Sequence, residues 1–221
     1  MDDYNFWRFV HILLFVYWLG GDLGVYLAAK YVARKDLRTD ERRRFLDLTL
    51  YIDMGPRTAL ILLPAVGFQL ATVGGYMNIR PEALAGIWIL TGGWLALMWF
   101  LFLRRGEARI APLRQFDAFV RYAVLMTMAT LGIVSLVTSA PIADVWLSAK
   151  IILYAAAIAD GLYLRHLMAA WERGFELIES GRAVEDGNAL IARASVTGER
   201  FGLLMWLILA AIGYLGAVKP F

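Results

Sequence analysis

The chain has 221 residues, 60% of them hydrophobic, no cysteine, and a formal net charge of +3. That composition, with a mean hydropathy of +0.60, argues against a soluble globular domain and removes disulfides, thiolate chemistry and iron–sulfur ligation. The pI near 9.2 does not signal nucleic-acid binding, because the basic residues are spread over several loops instead of one patch.

Six apolar runs follow in chain order, at Phe6–Tyr31, Ala59–Met77, Ala83–Leu103, Ala118–Ala140, Ile142–Leu164 and Phe201–Val218. Each is roughly 18–26 residues long, enough to cross a hydrocarbon core of ~30 Å as a helix. The expected fold is all-α: a polytopic six-helix transmembrane bundle forming one integral membrane domain over residues 1–221. The N-terminus lacks a basic stretch before its long apolar run, so the first run is expected to stay in the mature protein as a span.

Eighteen of the 22 Lys and Arg residues fall in three alternate loops. Lys30, Arg34, Lys35, Arg38, Arg42, Arg43, Arg44 and Arg57 follow the first span; Arg104, Arg105, Arg109, Arg114 and Arg121 follow the third. Arg165, Arg173, Arg182, Arg193 and Arg200 follow the fifth. The positive-inside rule makes these loops cytoplasmic and puts both termini on the non-cytoplasmic side. The expected setting is a bacterial cytoplasmic (inner) membrane.

Asp40 to Met54 carries Phe45, Leu48 and Ile52 at helical spacing and reads as an interfacial extension of the second span. Its Arg42–Arg44 cluster either contacts anionic lipid headgroups or serves orientation alone. Ala169–Gly198 is mixed in charge and is expected to break into short helices at Gly181 and Gly187. Small-residue ridges at Gly20, Gly24 and Ala28, at Gly92 and Ala96, and at Gly213 and Ala217 predict close helix packing. Asp53 and Arg57, echoed by Asp117 and Arg121, place an Asp-x-x-x-Arg motif at two expected helix starts. There Asp would complement the helix dipole and Arg would pair with it.

Ionisable groups at bilayer depth usually face a protein interior or a wet cavity. His11 and Asp22 are 11 residues apart on the first span, almost one azimuth on a helix, with Phe15 and Trp18 between them. At 1.5 Å per residue His11 lies roughly 8 Å inside the outer edge, and Asp22 roughly 16 Å deeper. Lys150 and Asp160 on the fifth span lie at matching depths, which suggests a polar column; interhelical packing is the alternative. His166 sits at the far end of the fifth span, beside Arg165 and before Trp171, and reads as interfacial. It is too far from His11 to share one haem iron, given a ~30 Å core. Without cysteine or a histidine cluster, the chain is a poor copper binder.

The run His11-Ile-Leu-Leu-Phe-Val-Tyr-Trp18-Leu-Gly-Gly21 resembles the first helix of the HemJ-type protoporphyrinogen oxidases and the related CopD membrane domain. Lys150-Ile-Ile-Leu-Tyr resembles that family's lysine-bearing helix, and Val218-Lys219-Pro220-Phe221 resembles its C-terminal close. This chain has more spans than that family, and Asp160-Gly161 stands near where a further histidine is expected. The resemblance implies a haem b or porphyrin site at His11, Trp18 and Lys150, with His11 the metal ligand. Porphyrinogen oxidation coupled to a quinone or another membrane redox partner would follow from it. Two readings stand beside this oxidoreductase. One is a small transporter or proton-linked carrier using Asp22, Asp160 and Lys150; the other is a non-catalytic subunit packed by its glycine ridges. Membrane lipids are expected partners, and self-association stays open.

Overall fold

The computed structural model describes residues 2–221, which form six long helices and, among the described residues, no strand. They are α1 (Asp2–Val32), α2 (Thr39–Val73), α3 (Pro81–Leu103), α4 (Ala111–Thr138), α5 (Val145–Glu179) and α6 (Val184–Val218). All six are long and apolar enough to cross a membrane. A single 3₁₀ turn, Ala108–Ile110, precedes α4.

Local chemistry accounts for the boundaries. Glu41 accepts a hydrogen bond from the Arg38 backbone N–H at 2.9 Å, the half of a capping box that starts α2. Pro81 opens α3 where a missing N–H costs nothing. Ser139 closes α4 in the left-handed region (φ 56°), its N–H bonded to the Ser135 carbonyl. Gly181 (φ +68°) ends α5 and makes the sharp turn into α6. Between α3 and α4, Glu107 is held by Arg104 at 2.9 Å and Arg109 at 2.5 Å. Those guanidinium hydrogen bonds keep its carboxyl below the usual range.

Three helices run well past the apolar runs that mark them. At 35 residues each, α2, α5 and α6 measure roughly 52 Å, against a hydrocarbon core of ~30 Å. The extension of α2 is helical, as its Phe45/Leu48/Ile52 spacing suggested, but it is continuous with the span. Gly187 does not break the chain. It lies inside α6, where an added Cβ would sit 2.5 Å from the Gly174 carbonyl oxygen of α5. Its missing side chain permits backbone contact between two helices, and that packing outweighs its poor helix propensity.

The chain divides into two compact units. The first comprises Met1–Tyr17, Arg57–Ala156 and Ala211–Phe221. Its core gathers Met128, Ile142, Ile151 and Ala155, and α4 meets α5 at Gly132, where a Cβ would fall 2.6 Å from Ile152. Pro64 denies the Leu60 carbonyl its helical partner, and the Tyr154 hydroxyl donates to that oxygen at 2.6 Å instead. Asp117 and Arg121 form a buried pair at 2.9 Å, with the Trp94 indole N–H also donating to Asp117 at 3.0 Å. Neither Asp-x-x-x-Arg motif begins a helix: α2 starts at Thr39 and α4 at Ala111. The dipole explanation therefore fails for both, since that effect fades within the first turn. The α4 motif instead supplies an interior ion pair.

The second unit comprises Trp18–Pro56 and Ala157–Ala210. Its core is Val32, Leu46, Leu167, Ala170, Trp171, Phe175, Ile191 and Ala194, an apolar interior between charged helices. Arg42 is 4% exposed and does not face lipid headgroups. It donates to the Val32 carbonyl at the end of α1 (2.9 Å) and to Asn188 (2.8 Å), satisfying an orphan of the helix terminus. Arg43 pairs with Glu172 at 2.7 Å. Trp171 is likewise interior, its indole N–H donating to Ser195 at 3.1 Å, whereas His166 is exposed.

Of the expected glycine ridges, Gly20 and Gly92 have open space where a Cβ would go, while Gly24 and Gly213 face Ile52 and Phe15. The tightest approaches occur at Gly21, Gly132, Gly174, Gly187 and Gly216, positions that spacing alone did not single out.

Candidate functional site

Two polar clusters contain the singled-out residues, one in each unit. In the first unit α1 and α5 bring His11 and Lys150 together, Nζ to Nε2 at 3.4 Å, across 139 positions of sequence. Two helices without side chains at the contact points make room for them. A Cβ on Gly216 of α6 would lie 2.6 Å from Lys150 Nζ, and one on Gly67 of α2 would lie 3.4 Å from His11 Cε1. Alanine at position 216 would therefore displace the amine.

The electrostatics of this cluster are one-sided. The charged group acting on His11 is Lys150, and the one acting on Lys150 is Lys219. Lys219 is bonded to the Tyr76 hydroxyl and lies over the Tyr76 and Trp146 rings, at 4.4 and 5.1 Å from their centroids. A basic group inside an apolar segment normally meets an acid. Here it meets two more bases.

His11 Nδ1 is buried and has no hydrogen-bond partner. Whichever ring nitrogen carries the hydrogen, Nδ1 goes unmatched, which is a costly condition for a buried polar atom. An acceptor or donor supplied by a bound molecule would relieve it.

The donor set can be tested against the haem that the family resemblance implies. Imidazole is a usual axial ligand of haem iron, and a neutral amine is also a nitrogen donor. Nε2 faces Lys150, and a Cβ added at Gly67 would lie 3.4 Å from Cε1, the carbon bonded to both ring nitrogens. A ring nitrogen is open to iron either at the unpartnered Nδ1 or, where Lys150 gives way, at Nε2. The donor chemistry fits. The second hydrogen bond that usually orients a metal-bound imidazole is absent, because Nδ1 has no acceptor. Among the described residues no group of three His, Cys, Asp or Glu side chains is placed to hold a metal ion.

Asp22 and Asp160 belong to the second unit. Trp18, expected beside His11, is 2% exposed and hydrogen-bonds the Asp22 carboxylate. One turn of helix joins that pair, so its i,i+4 spacing explains the contact. Asp53 and Asp160 both act on Asp22 electrostatically. The four ionisable residues thus appear as a His11–Lys150 pair and an Asp22–Asp160 pair.

Sequence reasoning did not find Gly67 and Gly216 as the walls of the first cluster. It also missed Lys219 as a second amine, Asp53 as a neighbour of Asp22, and Tyr154 as the partner of Leu60. The Pro64 in α2 was a usable signal for the last, since it announces an unpaired carbonyl four residues earlier. No protein-family model, no curated protein and no solved structure matches this chain.

Proposed function

We propose that this protein is an inner-membrane redox protein of the HemJ/CopD type, in which His11 and Lys150 form a haem- or porphyrin-binding site. The observation that carries the reading is the meeting of those two bases at 3.4 Å, with no acidic partner among the described residues. Both also stand in the motifs that carry the family resemblance. In this reading both termini lie on the non-cytoplasmic side, supported by the bias of 18 of 22 Lys and Arg residues to three alternate loops.

Haem, when bound, would supply one-electron transfer to a quinone or another membrane acceptor. His11 would hold the group through a ring nitrogen. Lys150 and Lys219 would attract the carboxylates of a tetrapyrrole, being cations with no competing acid acting on Lys150. Gly67 and Gly216 keep the two bases seated against neighbouring helices. The Tyr76 and Trp146 rings hold Lys219 at the margin.

Absorption spectra of the detergent-purified protein, oxidised and dithionite-reduced, test this directly. Wild type is expected to show a Soret band that His11→Ala removes and Lys150→Met shifts or weakens. A colourless, folded wild type that takes up neither added haem nor porphyrin would overturn the reading.

A further inference from the structure

The densest unsatisfied polarity lies in the second unit and involves none of the residues assigned to the tetrapyrrole. Asp160 is 6% exposed, and neither of its carboxylate oxygens has a hydrogen-bond partner. Asp22 has Trp18 on its carboxylate, but its Oδ2 is also buried and without a partner. Three carboxylate oxygens on two helices are therefore orphaned.

The packing around Asp22 is tight by construction. Gly21 and Gly24 flank it on α1, and their missing side chains admit the Pro56 ring and Ile52 of α2. A Cβ would fall 2.6 Å from Pro56 Cδ at the first position and 3.0 Å from Ile52 Cγ2 at the second. Asp53 lies between those two α2 residues in sequence. Pro56 has no N–H, so it cannot close the helical hydrogen bond to the Ile52 carbonyl. Beside Asp160 in sequence, a Cβ on Gly161 would lie 3.8 Å from the Met205 methyl group of α6.

A carboxylate with both oxygens unpaired in an apolar segment is strongly disfavoured, and a second carboxylate nearby adds repulsion. One bound positive charge relieves both. A divalent metal does not suit the locus, because no three metal-binding side chains converge among the described residues.

We propose that Asp22 and Asp160 form a binding site for a single positive charge, a proton or an alkali cation, taken up between α1 and α5. Asp53 deepens the negative potential from α2, and Trp18 fixes the Asp22 carboxylate. This site shares no residue with the His11–Lys150 pair, so each assignment can fail without the other.

The test uses full-length protein in lipid nanodiscs, with infrared spectroscopy and thermal melting in sodium and in choline buffers. If the charge is a proton, wild type shows a carboxylic-acid C=O band at about pH 7, where a free carboxylate is ionised. At least half of that band is lost in Asp160→Asn or Asp22→Asn, and sodium leaves it unchanged. If the charge is an alkali cation, wild-type melting rises with sodium at fixed ionic strength, and Asp160→Asn no longer responds. A wild type with neither the acid band nor a sodium-dependent melting temperature overturns the proposal, as does a band that persists in both variants. The wild-type readings decide even where a variant fails to fold.

Discussion

Asp117 and Asp160 are both buried aspartates on long helices, 3% and 6% exposed, yet they are treated in opposite ways. Asp117 receives Arg121 twice, at 2.9 and 3.2 Å, and the Trp94 indole at 3.0 Å. Asp160 receives nothing on either oxygen. A charge whose lone pairs are all met acts as a structural part, and its loss is felt as instability. A charge left unmet serves no packing purpose, so its presence calls for a ligand. His11 follows the second pattern in part, its Nδ1 unmatched while Nε2 meets Lys150.

Four substitutions would break or sharpen that contrast. The largest effect is expected for Asp117→Ala, which strands the buried Arg121 and the Trp94 N–H and should cost about 3–5 kcal/mol in reversible unfolding in detergent. A loss below about 1 kcal/mol would mean that this pair is not the structural kind of charge. Tyr154→Phe comes next. It leaves the Leu60 carbonyl without the donor that replaces the missing Pro64 N–H, at a cost of about 1–2 kcal/mol in the same assay. Asp160→Asn should lower stability by less than about 1 kcal/mol, or raise it, because no hydrogen bond to the protein is lost. A loss as large as that of Asp117→Ala would remove the contrast altogether. The smallest effect belongs to exposed Glu107, whose carboxyl is held low by Arg104 and Arg109. A depressed folded-state value stabilises the protein above the unfolded value and is lost as pH falls through the folded one. Melting curves should therefore show a slight wild-type advantage over Glu107→Gln at neutral pH that shrinks as pH falls below the free carboxyl value of about 4.3 and is lost at still lower pH.

Much of the architecture was legible in residue order. Six apolar runs became six helices, because an 18-residue apolar stretch has few alternatives. The helix ends were not legible from hydropathy alone. The first 20 residues of α2 and the last 15 of α5 carry eight and five charged side chains, and they are helical by packing around Phe175, Leu46 and Ile191. Gly187 illustrates the same limit. It reads as a breaker locally and acts as a contact surface once Gly174 lies opposite. The two Asp-x-x-x-Arg motifs looked alike, but which neighbours would meet Asp117 could not be read from four residues.

Residue order by itself determined the helical class, the number of spans and the candidate polar residues, because hydropathy and the 3.6-residue period are local properties of the chain. Only the tertiary structure decided which of those residues meet. His11 reached Lys150, Asp22 drew in Trp18 and Asp53, and Arg42 went to the end of α1 instead of to lipid. The physical reason is that partners on different helices, such as His11 and Lys150, are chosen by close packing. Small residues such as Gly21, Gly67 and Gly216 set that packing, and their role appears only when another helix lies against them.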